Sequence, residues 1–209
     1  MSHMEGQASE YATAAQEAQW IAKAQRGEEV AFTRLVEAYQ RPVYNLCYRM
    51  LGNPREAEDA AQEVFLRAYL KLETYDPARK FSSWLLSIAS HHCIDRLRKR
   101  RMKLVSWDEL PPWRWLPDAA PQPEEAMLAA EASQEVRDLL DTLAPDYRAA
   151  VVLKYWHNLS YEEIARTLDT TVSAIKSKLF RARRMMADAA RKRETELAAG
   201  NVTLAESPS

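Results

Sequence analysis

The chain has 209 residues, 47% hydrophobic and 28% charged, proportions that fit one globular domain or two small ones. Only four glycines occur, where an average content of ~7% would give about 15. That argues against a fold built on tight strand turns or phosphate-cradling loops, because those need positive φ or close backbone approach. No GxGxxG or GxxxxGK[ST] string is present, which argues against a dinucleotide fold, a P-loop and a glycine-rich kinase loop. An all-α chain is predicted.

Cys47 and Cys93 show no CxxC spacing, which fits reduced thiols in a cytoplasmic protein rather than a disulfide or zinc framework. No apolar run approaches the ~18 residues of a membrane span and no signal-peptide core is present, so membrane insertion is not expected. Met1 to Met4 read as an expression-tag scar outside the fold. The net charge of −1 hides a pattern: Lys+Arg against Asp+Glu is 16 to 10 over 20–103, 1 to 6 over 104–134 and 12 to 8 over 135–193. The two basic segments suit a polyanion partner, although the chain as a whole does not.

In chain order, residues 1–19 form an acidic tail, and the first helical domain spans 20–103. Phe32, Leu35, Val36, Tyr39, Val43, Leu46, Cys47 and Met50 recur at three- and four-residue spacing, as on a half-buried helix. Gly52 suits the position after that helix, and Asn53-Pro54 supplies an N-cap and an N1 proline for the next, over about 54–72. A polar loop from Thr74 to Lys80 precedes a helix from Phe81 to Arg101, with Phe81, Leu85, Ile88 and His92 on one face. Five of the ten prolines fall between Pro111 and Pro123, which makes 104–127 an extended linker. The second helical domain spans 128–193, with helices near 125–142, from Pro145 to His157, from Ser160 and from near Thr171. Residues 194–209 read as a frayed tail.

Residues 159–186, LSYEEIARTLDTTVSAIKSKLFRARRMM, carry the clearest local signal. Ser160 and Glu163 match a capping box, and Leu159 with Ile164 matches the hydrophobic staple. Two helices joined by so short a turn read as a helix-turn-helix. On the second helix Val172, Ile175, Leu179, Ala182 and Met186 share one quadrant. Lys176, Ser177, Phe180, Arg181 and Arg184 lie opposite. An aromatic on that polar face makes sense if Phe180 meets a thymine methyl or sugar while Lys176 and Arg181 reach base edges and phosphates. The bland alternative is a solvated basic face with one stray Phe.

Arg96 to Lys103, RLRKRRMK, places six positive charges in eight residues. Such a cluster either gives sequence-independent phosphate affinity or complements its own helix macrodipole. On the same helix Ser87, Ser90, His91 and Arg98 form a polar stripe suited to single-strand or backbone contact. On the helix over 54–72, Ala57, Ala61, Val64, Phe65, Ala68 and Leu72 are expected to face the core. Glu56, Asp59, Gln62, Glu63 and Leu66 gather opposite, either as a solvated acidic face or as a protein docking site with Leu66 as its apolar centre.

These stretches resemble a known family. NLCYRMLGNPREAEDAAQEVFLRAY, then KFSSWLLSIASHHCIDRLRKRR, then the helix-turn-helix look like a bacterial sigma-70 family sigma factor of the extracytoplasmic-function (ECF) group. That group keeps only the second and fourth sigma domains. The DxxQExF string at Asp59 to Phe65, FxxWLxxIA at Phe81 to Ala89 and LSYEEIA at Leu159 to Ala165 carry the resemblance, which covers about 20–103 and 128–190. It implies core RNA polymerase (β′ clamp helices and β flap) and promoter DNA as partners, an anti-sigma factor as a further candidate, and no cofactor, metal or catalysis. Glu56, Asp59, Gln62, Glu63 and Leu66 would then dock on the clamp helices. Thr74, Tyr75, Asp76, Arg79, Lys80, Trp84, Ser87, His91 and Arg98 would take the −10 element and trap a flipped base, whose unstacking costs a few kcal/mol. Lys176, Ser177, Phe180, Arg181 and Arg184 would read the −35 element, with Lys154 and Arg183 on phosphates. The family often has Asn where this chain has His91. An imidazole cannot offer an amide's donor and acceptor pair, so preference at the flipped base does not carry over.

Trp107, Trp113 and Trp115 in the linker could mimic nucleic acid in the polymerase or pack the two domains together. Catalysis finds no support: adjacent His91, His92 and Cys93 point about 100° apart and cannot converge on one metal. A one-component helix-turn-helix regulator is the competing reading. It requires a ligand or receiver domain where 20–103 lies, and tight duplex binding without polymerase.

Overall fold

The computed structural model describes residues 14–105 and 134–205. The tag scar, most of the acidic tail, the linker tryptophans and prolines, and the start of the helix expected near 125 lie outside them. The side chains of Arg101 and Lys103, part of the basic cluster, are outside as well. The described residues are helical, with no strand among them: α1 Ala14–Gln25, α2 Glu29–Leu51, α3 Pro54–Lys71, a 3-10 turn Leu72–Thr74, α4 Phe81–Val105, α5 over 134–141, α6 Pro145–Tyr155, α7 Tyr161–Thr167 and α8 Val172–Ala205. They group into two compact units, one within Met1–Cys93 with Arg166–Asp169, the other within Ile94–Ala165 and Thr170–Ser209.

In the first unit α1 and α3 both pack on α2. The expected stripe of α2 is its packed face: Leu35, Val43, Leu46, Cys47 and Met50 are buried, and Phe32, Val36 and Tyr39 half-buried. Gly52 ends α2 at φ 74, in the left-handed region, and its N–H donates to the Tyr48 carbonyl. The Asn53 side chain then accepts from the Glu56 N–H at 3.1 Å, with Pro54 in the first turn of α3. Cap and proline thus stop one helix and start the next within three residues.

Details of α1, α3 and α8 differ from the sequence reading. The packed face of α3 is Ala57, Ala60, Val64 and Ala68, with Ala61 and Phe65 only half-buried. Three- and four-residue steps from Ala57 fit either set, and the neighbouring helix selects the one led by Ala60. Helix is already present at Ala14, inside the span read as tail: α1 buries Ile21 and Ala24, and the Tyr39 hydroxyl donates to Glu17 Oε2 at 2.5 Å. At the other end α8 runs on past Arg193 to Ala205, a stretch rich in strong helix formers.

In the second unit α6 packs on α8, and Leu140, Leu143, Val151, Val152, Leu153, Ile175, Leu179 and Ala182 form the core. Arg148 is buried, with Nη1 donating to Asp141 Oδ1 at 2.7 Å. Burial pushes the Arg148 guanidinium below its ordinary pKa, against the pull of Asp141. The capping box forms as the residues require: Ser160 N–H donates to Glu163 Oε2 at 2.9 Å and Glu163 N–H to Ser160 Oγ at 3.1 Å. Leu159 and Ile164 are both buried beside it, as a staple demands. Ser160→Ala is expected to cost about 1 kcal/mol, read as a lower denaturant midpoint with an unchanged slope.

Candidate nucleic-acid and protein interfaces

On α3, Asp59, Gln62 and Leu66 are exposed, whereas Glu56 and Glu63 are half-buried. Glu63 Oε1 accepts from Arg67 Nε at 2.6 Å, and that hydrogen bond holds its carboxyl below the usual range. Glu63 therefore stays ionised into mild acid. Leu66 is 54% exposed, and Tyr69 and Leu70 beyond it are exposed as well. The Tyr69 ring meets Phe32 edge-on, with centroids 5.0 Å apart, so the apolar surface continues one turn past the carboxylates. Tyr69 and Leu70 do not stand out in the sequence because they follow the acidic string rather than interrupt it.

The stretch from α3 to α4 is built on aromatics. Tyr75, Phe81 and Trp84 meet pairwise with centroids 5.1–5.5 Å apart, and Tyr39 of α2 reaches Phe81 at 5.3 Å. The loop is held further by Gln25 of α1, whose Nε2 donates to the carbonyls of Leu72 at 3.1 Å and Tyr75 at 3.3 Å. Asp76 Oδ1 accepts from the Ala78 N–H at 2.9 Å, an Asx-type turn.

This arrangement sorts the residues expected at the loop. Thr74, Asp76, Arg79 and Lys80 are exposed, and Trp84 is half-buried. Tyr75 is buried, its hydroxyl donating to the Arg79 carbonyl, so it shapes the loop from inside instead of facing a ligand. On α4, Ser87 and His91 are half-buried, and His91 Nδ1 lies 2.9 Å from the Ser87 carbonyl. Its Nε2 lies 3.5 Å from Asp169 Oδ2. Ser90 is fully buried and drops out of the polar stripe. Arg98 is exposed, and its Nη2 donates to both carboxylate oxygens of Asp146 at 3.0 Å, both residues lying in the second unit. A surface pair of this kind is worth only about 0–1 kcal/mol, so exchange for a phosphate is not prevented.

The helix-turn-helix forms as expected. Asp169 makes the turn at φ 47, and Thr171 Oγ1 accepts from the Ala174 N–H at 3.1 Å to start α8. Ile175, Leu179 and Ala182 are buried while Lys176, Ser177, Phe180, Arg181, Arg183 and Arg184 are all exposed, Phe180 to 63%. Lys154 is half-buried on α6, and its Nζ donates to the Leu159 carbonyl at 3.2 Å. The same ammonium is 5.1 Å from the centroid of the Tyr161 ring, and Lys176 Nζ is 5.9 Å from it. The sequence points to both lysines but not to Tyr161, since residues 154, 161 and 176 share no helix and no spacing rule connects them.

Comparison with known proteins gives two family matches, to Sigma-70 region 2 over residues 35–102 and to Sigma-70, region 4 over residues 133–186. The chain is similar to the ECF RNA polymerase sigma factor SigW of Bacillus subtilis, 37% identical over 169 residues, spanning 78% of this chain and 90% of that protein. Among solved structures it resembles CnrH in complex with the cytosolic domain of CnrY, with a TM-score of 0.64 at 21% identity over 85% of this chain and 98% of that one. It also resembles the sigma factor RpoE in complex with the anti-sigma factor NepR from Bartonella quintana, with a TM-score of 0.59 at 20% identity over 77% and 96% of the two chains. At those identities the structural likeness speaks to the fold.

Proposed function

The chain belongs to the ECF group of the sigma-70 family, and from that membership we propose how its parts divide the work of promoter-directed transcription initiation. As a sigma factor it binds core RNA polymerase and directs it to promoter DNA. The observation that carries this over a one-component regulator is that both sigma segments, 35–102 and 133–186, occur in one chain. A regulator using only the helix-turn-helix has no need of the first.

The acidic face of α3, with Asp59, Gln62 and Glu63 around exposed Leu66, docks on the β′ clamp helices. The neighbouring Tyr69 and Leu70 extend its apolar centre. The loop with Thr74, Asp76, Arg79 and Lys80, together with Trp84, Ser87 and His91 of α4, receives the −10 strand, and Tyr75 holds the loop's shape. Arg98 supplies a phosphate contact. The exposed face of α8 reads the −35 duplex. The domains follow the spans 20–103 and 128–193 joined by the linker 104–127, with a contact to the β flap from the second domain. An anti-sigma partner of the kind bound by the RpoE relative is consistent with so much exposed apolar surface on α3. The protein works in the cytoplasm by recognition and catalyses no reaction of its own. Among the described residues no helix is long and apolar enough to cross a membrane.

Arg181→Ala is expected to cost about 1–3 kcal/mol in −35 discrimination, measured as holoenzyme affinity for matched against scrambled −35 duplex. Equal loss on both sequences would make it a phosphate contact only. The function itself is tested by run-off transcription with bacterial core polymerase on a genomic promoter library. Transcript starts that share −35 and −10 motifs are expected with the protein and not without it. Failure to bind core at all would overturn the reading.

A further inference from the structure

Tyr161 is absent from every role assigned above, yet two cations converge on it from separate helices. Lys154 Nζ, from the end of α6, lies 5.1 Å from its ring centroid, and Lys176 Nζ, from the exposed face of α8, lies 5.9 Å from it. Both distances are within the ~6 Å over which a ring quadrupole attracts an ammonium. The backbone that carries the ring is held in place. Tyr161 is the first residue of α7, directly after Ser160 of the Ser160–Glu163 capping box, and it is half-buried. Lys154 is restrained a second time through its bond to the Leu159 carbonyl. Two long side chains that would otherwise lose much rotamer freedom on meeting DNA are thus collected beforehand around one fixed ring.

We propose that Tyr161 is a positioning residue for −35 binding, its ring pre-ordering Lys154 and Lys176 as a paired cation site for the sugar-phosphate backbone. The proposal rests on the sigma-factor reading, because the phosphates are those of the −35 duplex. The ring and not the hydroxyl does this. It follows that Lys176 approaches the groove from a fixed start, although its stem is exposed. The benefit reaches every sequence with a phosphate at that place, so Tyr161 sets affinity and salt response more than base preference.

The test uses full-length protein in holoenzyme with core polymerase, on a promoter duplex taken from the run-off assay, with Kd measured across a series of salt concentrations. Tyr161→Leu removes the ring and is expected to weaken binding about three- to tenfold, equally on matched and scrambled −35 sequence. The slope of log K against log salt should become shallower by about one, as when a single phosphate is no longer neutralised. Tyr161→Phe keeps the ring and should match the unsubstituted protein in both respects. In a Lys154→Ala, Lys176→Ala background, Tyr161→Leu should cost nothing further. Melting temperature, recorded on each variant, separates loss of fold from loss of binding. A Phe variant as weak as the Leu variant would assign the effect to the hydroxyl and overturn the proposal. So would a Leu variant with unchanged affinity and slope, or a Leu effect that persists in full without the lysines. If the unsubstituted holoenzyme binds no better than core alone, the sigma reading itself fails and takes the proposal with it.

Discussion

Lysine at both Asp59 and Glu63 is expected to lower affinity for core polymerase by about 100-fold or more while the helix content of the free protein stays the same. Both side chains lie on the outer side of α3, Asp59 exposed and Glu63 half-buried, whereas the packing of that helix depends on Ala57, Ala60, Val64 and Ala68. The substitutions therefore leave the core intact. What they forfeit locally is the Glu63–Arg67 pair, an exposed i, i+4 bridge worth a few tenths of a kcal/mol. At an interface the arithmetic is different. Opposing charges become like charges next to the apolar anchor Leu66, and juxtaposed like charges cost several kcal/mol. Titration of labelled core with each variant, alongside circular dichroism, reads both quantities. Unchanged core affinity would remove α3 from the polymerase interface.

Phe81→Ala should produce the largest loss of stability of any single truncation near the loop. Phe81 is 2% exposed and meets three aromatic rings, those of Tyr39, Tyr75 and Trp84. Truncating a buried Phe to Ala typically costs about 3–5 kcal/mol, and aromatic pairs add about 0.5–1.5 kcal/mol each to ordinary burial. At roughly 4–8 °C per kcal/mol for a domain of this size, the melting temperature should fall by more than about 10 °C. Phe81→Leu keeps most of the volume and should cost about half as much. Because Tyr75 loses the neighbour that buries it, the loop over 74–80, proposed above to receive the −10 strand, should suffer in both variants. Promoter opening should then fall further than −35 binding. A melting shift below about 3 °C would mean that the aromatic cluster carries little of the stability assigned to it.

Legibility in the sequence follows the range of the interactions. Gly52, Asn53-Pro54 and the Ser160–Glu163 box act over three or four residues, and each forms as read. The packed stripes of α2 and α8 are equally legible, since several residues repeat the same period and one misplacement changes little. On α3 the core face is mostly alanine, so hydrophobicity hardly distinguishes Ala60 from Ala61, and only the neighbouring helix decides. Sequence reasoning puts Tyr75 at the DNA surface because the family resemblance gives the whole loop from Thr74 to Lys80 that role, and no local signal separates its inward from its outward residues. The burial of Tyr75 depends on Phe81 and Trp84, which lie on the next helix. Ser90 goes inside for a similar reason, as it follows the buried Leu86 and Ala89 and precedes buried Cys93 on α4. Tyr161 carries no local signal because its partners are 7 and 15 positions away on different helices.

The side chain of Gln25 ties the chain to itself across a distance that no local rule spans, with one amide nitrogen shared between the carbonyls of Leu72 and Tyr75. Those carbonyls close the 3-10 turn and open the loop, while Gln25 is the last residue of α1. Fraying of α1 therefore takes a donor from both carbonyls in a part-buried place, leaving Leu72 only the Tyr75 N–H, and release of the loop strands a donor at a helix end. Either event alone carries a penalty that the other would relieve. The N-terminal helix and the loop expected to seize the flipped base are therefore expected to open together. A shortened chain starting at Trp20 would discard half of α1. Its damage would then appear some fifty residues downstream, as a loop too loose to offset the unstacking cost.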